Sequence, residues 1–527
     1  MGGKYLRYVR QNRNKIGFVI IILIFLIALE IFVLHTLIQP NSPLIPPNNT
    51  VYVAGDGSGN LTGDKDNQAE INQTIQSNFS LVPSNTTVYV ASDGSGNFTC
   101  DGSDDQVEIN KALAYIAENP QFTTVHLKGP NTYVISDTIF IGNNATLEGD
   151  PTAVIKLIDN ANWPVFKPLI TQMDKTEIYG VTIKGFEING NHDNNLDKKK
   201  GLGYYDMIHL FNSRNIQVHD MYMHDGHGEG VKVDNSSDIQ FYNNHVYKTG
   251  HNGLFAENSL NVEAWDNNIT VRTDCGFRSR NSNHVKIHDN MIDSFYDWSA
   301  GGPGILVEKT SGVVNDVEIH NNSIQNTYGP GIWLIGTFQS YPKDDAKNVH
   351  IYYNVFRNTG TNPSIDWVGG VVTSGFYDTL IENNTFDGVY HGAIIHMYPM
   401  GGTHIYPTYN NSGHIDLSSK DTGYTTTARN NIIANTKPRK KDPDGTGYGV
   451  INYLSETHTF VLEHNCLYNN YAGNYLNCAS TTDIYEDPLL LNQSIGAGYN
   501  TSSYSSNDVP KSFNRTSVKS IFKQSLS

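Results

Sequence analysis

Ile208, Val231, Leu254 and Phe277 recur every 23 residues, and a second set, Ile216, Ile239, Val262 and Val285, keeps the same spacing. A fixed short period commits a chain to stacked units, each burying one face against the next. Later equivalents, Ile305, Ile332, Val371, Ala393 and Val450, drift from that spacing, yet each follows a glycine. The repeat persists while its connections lengthen.

Within a unit the pattern runs Gly-apolar-x-apolar, a polar turn, then a second apolar-x-apolar stretch, as in Gly230 to Val233 and Ile239 to Phe241. Alternation at period two means short strands. Units of this length without helical periodicity predict an all-β solenoid, a single-stranded right-handed parallel β-helix. A leucine-rich or hexapeptide solenoid is disfavoured, because neither the consensus leucines nor a six-residue beat is present. The column Asn244, Asn267, Asn290, Asn322, Asn354, Asn384, Asn431 and Asn465 reads as an asparagine ladder of stacked amides at left-handed turns.

Residues 16–38 form an apolar run whose only ionisable members are Glu30 and His35, long enough to cross a bilayer as a helix. Lys4, Arg7, Arg10, Arg13 and Lys15 precede it. A positive flank stays inside. The expected organisation is a cytoplasmic basic tail (1–15), a signal-anchor (16–38), a linker (39–84), the β-helix (85–490, its cap 85–120) and a polar tail (491–527). A cleaved signal peptide is the alternative reading of the apolar run. The expected location is the cell membrane, single-pass, with everything after Pro40 outside. Asn-x-Ser/Thr triplets at Asn60, Asn97, Asn144, Asn235 and Asn514 suit an extracellular, glycosylated surface. The net charge of −16 argues against nucleic acid as a partner. Four cysteines are too few for a disulfide framework, although Cys466 and Cys478 are close enough in sequence to pair or to remain thiols.

The linker carries a duplicate of the cap. Val51-Tyr52-Val53-Ala54 and the Asp56-to-Asn60 turn return as Val88-Tyr89-Val90-Ala91 and Asp93 to Asn97. The second copy continues into an amphipathic helix around Lys111–Ala117, with Asp104 or Asp105 as its cap, that would plug the first coil. The Asp/Gly/Asn turn suits calcium, or simply a turn.

Fixing Val231 and Val233 inward turns Lys232 and Asp234 outward. Coil by coil, one outer column is then His209, Lys232, Phe255, Arg278, Leu306, Trp333, and its neighbour is Phe211, Asp234, Glu257, Arg280, Glu308, Ile335. Long insertions (294–304, 336–348, 359–370, 397–427, 436–449) fall on both sides of this strip, and bring aromatics such as Trp298, Trp367 and Tyr398. Such a strip is suited to an acidic polysaccharide, with His209, Asp234, Glu257, Glu308, Trp333, His391, His396 and Tyr398 as binding residues. β-Elimination needs a cation to neutralise a uronate and a base to take the adjacent proton. Arg280 and Arg278 suit the first task; His227, His251 or Lys232 the second. Hydrolysis needs two carboxyls in different protonation states, for which Asp234, Glu257, Asp274 and Glu308 are available. Asp225, Glu229 and Asp274 are candidate metal ligands, with Ca2+ as the cofactor. Arg280 between Glu257 and Glu308 also reads as a plain surface ion pair.

The body from Ile178 to Asn465 resembles the pectate-lyase-like right-handed β-helix superfamily. The cap Tyr89-Val90-Ala91-Ser92-Asp93-Gly94-Ser95-Gly96-Asn97 and the stretches Gly447 to Tyr453, Asn465 to Asn470 and Asp483 to Pro488 are similar to disaggregatase-related surface proteins of methanogenic archaea. That resemblance implies a polysaccharide lyase acting on a chondroitin-like matrix. Phe277-Arg278-Ser279-Arg280 is similar to the catalytic-arginine strand of chondroitinase-B-type lyases, which implies that role for Arg280. The lysine of that pattern one coil earlier is replaced by Glu257, which leaves both the base and the calcium site of those lyases open here. Gly226-His227-Gly228 resembles the histidine motif of polygalacturonases, whose paired aspartates are missing. A catalytically inert glycan-binding or scaffold protein, and a hydrolase or C5-epimerase, are the alternative functions.

Overall fold

Asparagine side chains organise the turns of this molecule. The computed structural model describes residues 86–488, apart from 174–175, 196–203, 295–301, 337–345, 364–366, 398–424, 442 and 454–459. The anchor run, the linker duplicate and the tail lie outside the described residues. Among the described residues no helix is long and apolar enough to cross a membrane.

Each coil contributes one strand to each of three parallel sheets. Sheet 1 contains Ile208–Phe211, sheet 2 contains Ser213–His219 and sheet 3 contains Tyr222–His224. The expected register holds: Ile208 pairs with Val231, then Leu254, Phe277, Ile305, Ile332 and Val371. These side chains are buried in one continuous core. The next step departs from expectation. Val371 pairs with Ile394, not Ala393, because Gly370 N donates to Gly392 O and Ala393 takes the position that glycine fills elsewhere.

The ladder runs unbroken from Asn244 to Asn465. Each amide Nδ2 donates to the Oδ1 of the next coil, at 2.9–3.0 Å, and that same Oδ1 accepts the backbone N–H of the residue below. It ends on Asp483, whose carboxylate accepts from Asn465 and has no amide to pass on. Buried polar groups satisfied in this way hold coil to coil without exposing backbone. The left-handed residue is the one before each ladder asparagine: Asn243, Asp266, Asp289, Asn321, Tyr353, Asn383, Asn430 and His464 all have positive φ.

At the N-terminal end, the helix Gln106–Glu118 turns Ile109, Ala112, Leu113 and Ile116 onto the first strands. Asp105 stands at its N-cap position, but its carboxylate accepts from Gly102 N and Val134 N instead of from the helix. The Asp93 turn closes on itself through Ser95, and Asn97 pairs with Tyr89. All four cysteines are free thiols, Cys466 and Cys478 included.

Candidate functional site on the outer face of sheet 1

Strand alternation places Lys232, Phe255 and Arg278 in one outward column and Asp234, Glu257, Arg280 and Glu308 in the next. Three cations from two coils converge on the Phe255 ring: Lys232 Nζ lies 4.8 Å from its centroid, and the guanidinium carbons of Arg278 and Arg280 lie 5.0 and 5.2 Å away. A ring face attracts cations, most strongly where water is partly excluded. Arg280 is the more open of the two arginines, with 25% of its side chain exposed against 12% for Arg278.

Carboxylates thread between these cations. Glu308 Oε2 takes Arg278 Nη2 at 2.8 Å and Arg280 Nε at 2.9 Å. Glu257 holds Arg280 Nη1 at 3.2 Å with one oxygen and faces Lys232 Nζ at 3.4 Å with the other. Burial would favour a neutral Glu308, but the two arginines outweigh it and hold its carboxyl below the usual range. Asp234 is likewise held low: burial opposes its charge, and His209 and Lys232 overcome that.

At each flank a histidine is clamped between two carboxylates. His209 contacts Asp206 at 3.0 Å and Asp234 at 2.9 Å, and stacks on Phe211. Its pKa is raised, burial being overridden by the two aspartates. His251 contacts Glu229 at 2.6 Å and Asp274 at 2.9 Å. Burial alone would lower its pKa, but Glu229 and Asp274 push it up to about 10. Both ring nitrogens of His251 are thus engaged by carboxylates, Nδ1 by Glu229 and Nε2 by Asp274.

Other expected residues are placed elsewhere. His227 is fully buried, its ring 4.6 Å from His192 and 5.0 Å from both Tyr204 and Tyr205. Gly228 allows this packing, since a Cβ there would meet Tyr205 O at 2.4 Å. Burial lowers the His227 pKa to about 4, so it stays neutral, but it is sealed from the strip. His396 points into the coil, because the register after Val371 turns it inward; its Nδ1 meets the hydroxyls of Thr373 and Thr426. His391 is buried against Tyr453, with Nε2 at 3.1 Å from the phenol. Trp333 does lie in the outer column, but it is 2% exposed and stacks on Trp367 at 4.4 Å. Its ring is an anchor, not a free platform. Tyr398 lies outside the described residues.

The expected metal ligands are already neutralised. Asp225 is paired with His224 and Arg272, Asp274 with His251 and Arg278, and Glu229 with His251 and the Asn252 N–H. Calcium needs several uncommitted oxygens converging on one point, and these three do not supply them. Among the described residues Cys100, Asp105 and Glu108 alone come close enough to hold an ion, and Asp105 is engaged by backbone N–H groups.

Two participants escaped the sequence reading. Asp206 orients His209 and accepts from Glu229 N; it stands one 23-residue period before Glu229, the signal that would have found it. Phe255 was visible in its column, yet its role as the ring beneath three cations needed side-chain geometry.

Residues 314–520 match the family model described as disaggregatase related. Residues 170–341 match the model of a right handed beta helix region, which gives the coil its hand. No curated protein matches the chain. Solved structures similar to it include the mannuronan C-5 epimerase AlgE6 A-module of Azotobacter vinelandii, at 16% identity and TM-score 0.49, covering 76% of this chain and 98% of that one. A catalytic domain of a GH87 alpha-1,3-glucanase gives 13% and 0.49, over 77% and 68%. An exopolygalacturonase from Thermotoga maritima gives 12% and 0.43, over 72% and 87%. At such identities and scores none of them bears on what this chain acts upon.

Proposed function

We propose that this protein acts on polysaccharide at the cell surface, taking an acidic, uronate-bearing glycan along the outer face of sheet 1 and cleaving it by β-elimination. The convergence of Lys232, Arg278 and Arg280 on Phe255 carries this reading, since it concentrates positive charge over an aromatic face in a chain whose net charge is −16. The disaggregatase-related match over residues 314–520 supports the substrate class.

In this mechanism Arg280 exchanges Glu257 for the glycan carboxylate and neutralises it, acidifying the hydrogen on the neighbouring carbon. With His227 enclosed and both ring nitrogens of His251 engaged by carboxylates, Lys232 is the remaining basic candidate for taking that hydrogen. The electron pair forms a carbon–carbon double bond, the glycosidic oxygen leaves from the next carbon, and solvent protonates it. Arg278 keeps Glu308 in place beside Arg280. No step passes through a metal. Hydrolysis is less well supported, because Asp234, Asp274 and Glu308 are all held ionised and a protonated carboxyl is required.

A specific observation favours a second reading, an inert glycan-binding scaffold: the arginines, lysine and histidines of the strip already have internal counter-ions. The two separate on incubating the full-length protein with a chondroitin-like polymer. Elimination generates ultraviolet-absorbing unsaturated ends, and Arg280→Ala abolishes them while the circular dichroism spectrum is retained. Binding without chain shortening supports the scaffold; unchanged cleavage by the variant removes Arg280 from the mechanism. The apolar run 16–38 supports anchoring with the coil outside, so release from washed membranes is expected only with detergent.

A further inference from the structure

Glu257 is the most loosely held carboxylate at the centre of the strip. Its two cation contacts, 3.2 Å to Arg280 and 3.4 Å to Lys232, are long beside the 2.8 and 2.9 Å contacts of Glu308. Charge-assisted pairs normally close to about 2.7–2.9 Å. Glu257 is also more open, at 21% against 10% for Glu308. It sits on the same strand as Phe255, two residues on, and so places a negative group at the point where three cations gather. Glu308 secures both arginines through its Oε2, whereas Glu257 divides its two oxygens between Arg280 and Lys232.

We propose that Glu257 is an internal stand-in for the substrate carboxylate, so that the groove admits only glycans whose own carboxylate displaces it from Arg280 and Lys232. The inference rests on the acidic-glycan reading and deepens it: Glu257 sets the selectivity of the site. A neutral glycan brings nothing to replace the displaced charge and leaves Arg280 to Glu308 and Lys232 to Asp234, one counter-ion fewer for each, an unfavourable exchange. A uronate makes the exchange nearly even, and its remaining contacts then decide binding.

The test is equilibrium binding of the full-length protein to desulfated chondroitin and, as the neutral probe, dextran. Glu257→Gln removes the competing charge, and Glu257→Asp keeps it on a stem too short to reach both cations. Both variants are expected to bind desulfated chondroitin about three- to tenfold more tightly than the unaltered protein, and dextran, no longer facing a charge it cannot replace, is expected to gain binding as well. Glu318→Gln removes one negative charge from the outer face of sheet 2 and is expected to change neither. Unchanged or weaker chondroitin binding by Glu257→Gln overturns the proposal, and so does an equal gain in Glu318→Gln, which would reduce the effect to net charge. If the unaltered protein and every variant fail to bind desulfated chondroitin, the acidic-glycan reading itself falls and takes the proposal with it.

Discussion

Two halves of one outer face use the same scaffold in opposite ways. From His209 to Glu308 the outward positions of sheet 1 hold ionised groups tied to one another across coils. From Leu306 onward the outward positions are Trp333, Ile335, Val372, Ile395, Met397 and Ile451, buried in a second apolar cluster outside the coil. Inside, nothing distinguishes the halves: Leu254 and Phe277 in one match Ile332 and Val450 in the other, all in a single core. The interior columns make the coil, and the exterior columns are left to choose between packing and chemistry. The apolar half has spent its exterior on packing, which confines the candidate groove to the coils before Trp333.

The largest effect expected from this contrast is in the apolar half. Trp333→Ala removes a fully enclosed ring and its stack on Trp367. A loss of about 3–5 kcal/mol is expected from such a truncation, measured as the shift in the denaturant midpoint. Because no ionised group of the strip is touched, the loss should be the same at pH 7 and pH 10, and glycan binding by the remaining folded protein should be retained. A small or pH-dependent loss would mean that the second cluster is not a packing core.

How much of this was legible differs between the two faces as well. The coil, its three strands and its asparagine ladder follow from spacing, since a side chain's direction in a strand depends only on parity. The outer columns from His209 to Ile335 follow for the same reason, and the pairing register bears them out. His396 was misplaced because a glycine followed by an apolar residue marks each first strand, and Gly392-Ala393 satisfies that rule one residue too early. His227 lies between two glycines where no alternation operates, so its enclosure could not be read. His251 carried a signal that went unused: Asp274 follows it by one period and Glu229 precedes it by 22 residues, which puts both carboxylates on neighbouring coils. Whether a polar residue is free or engaged depends on such neighbours, and not on its own type.

Acid–base titration should separate the halves next. The pKa of His251 rises from the ordinary imidazole value to about 10 in the fold. The folded state then holds a proton that the unfolded state releases near pH 6.5, so the stabilisation is complete below pH 6.5 and is lost as pH climbs to about 10. The denaturant midpoint of the unaltered protein should fall across that window. In His251→Gln the fall should be shallower, from a lower starting stability, while Trp333→Ala keeps the full slope. A slope unchanged by His251→Gln would show that the clamp between Glu229 and Asp274 does not hold the proton.

The smallest effect on stability should accompany a large effect on function, and Lys232 is where the two separate. Its ammonium meets Asp234 and Glu257 only at 3.5 and 3.4 Å, over the Phe255 ring. Lys232→Met keeps the aliphatic stem that covers Phe255 and removes the charge, so the stability change should stay under about 1 kcal/mol. If Lys232 takes the proton in the elimination, the same variant should lose unsaturated-end formation while still binding desulfated chondroitin, because Arg278 and Arg280 retain their place over the ring. Retained turnover would assign the base elsewhere. A large loss of stability would instead place Lys232 with the packing residues of the apolar half, and erase the distinction between a strip held for chemistry and one held for structure.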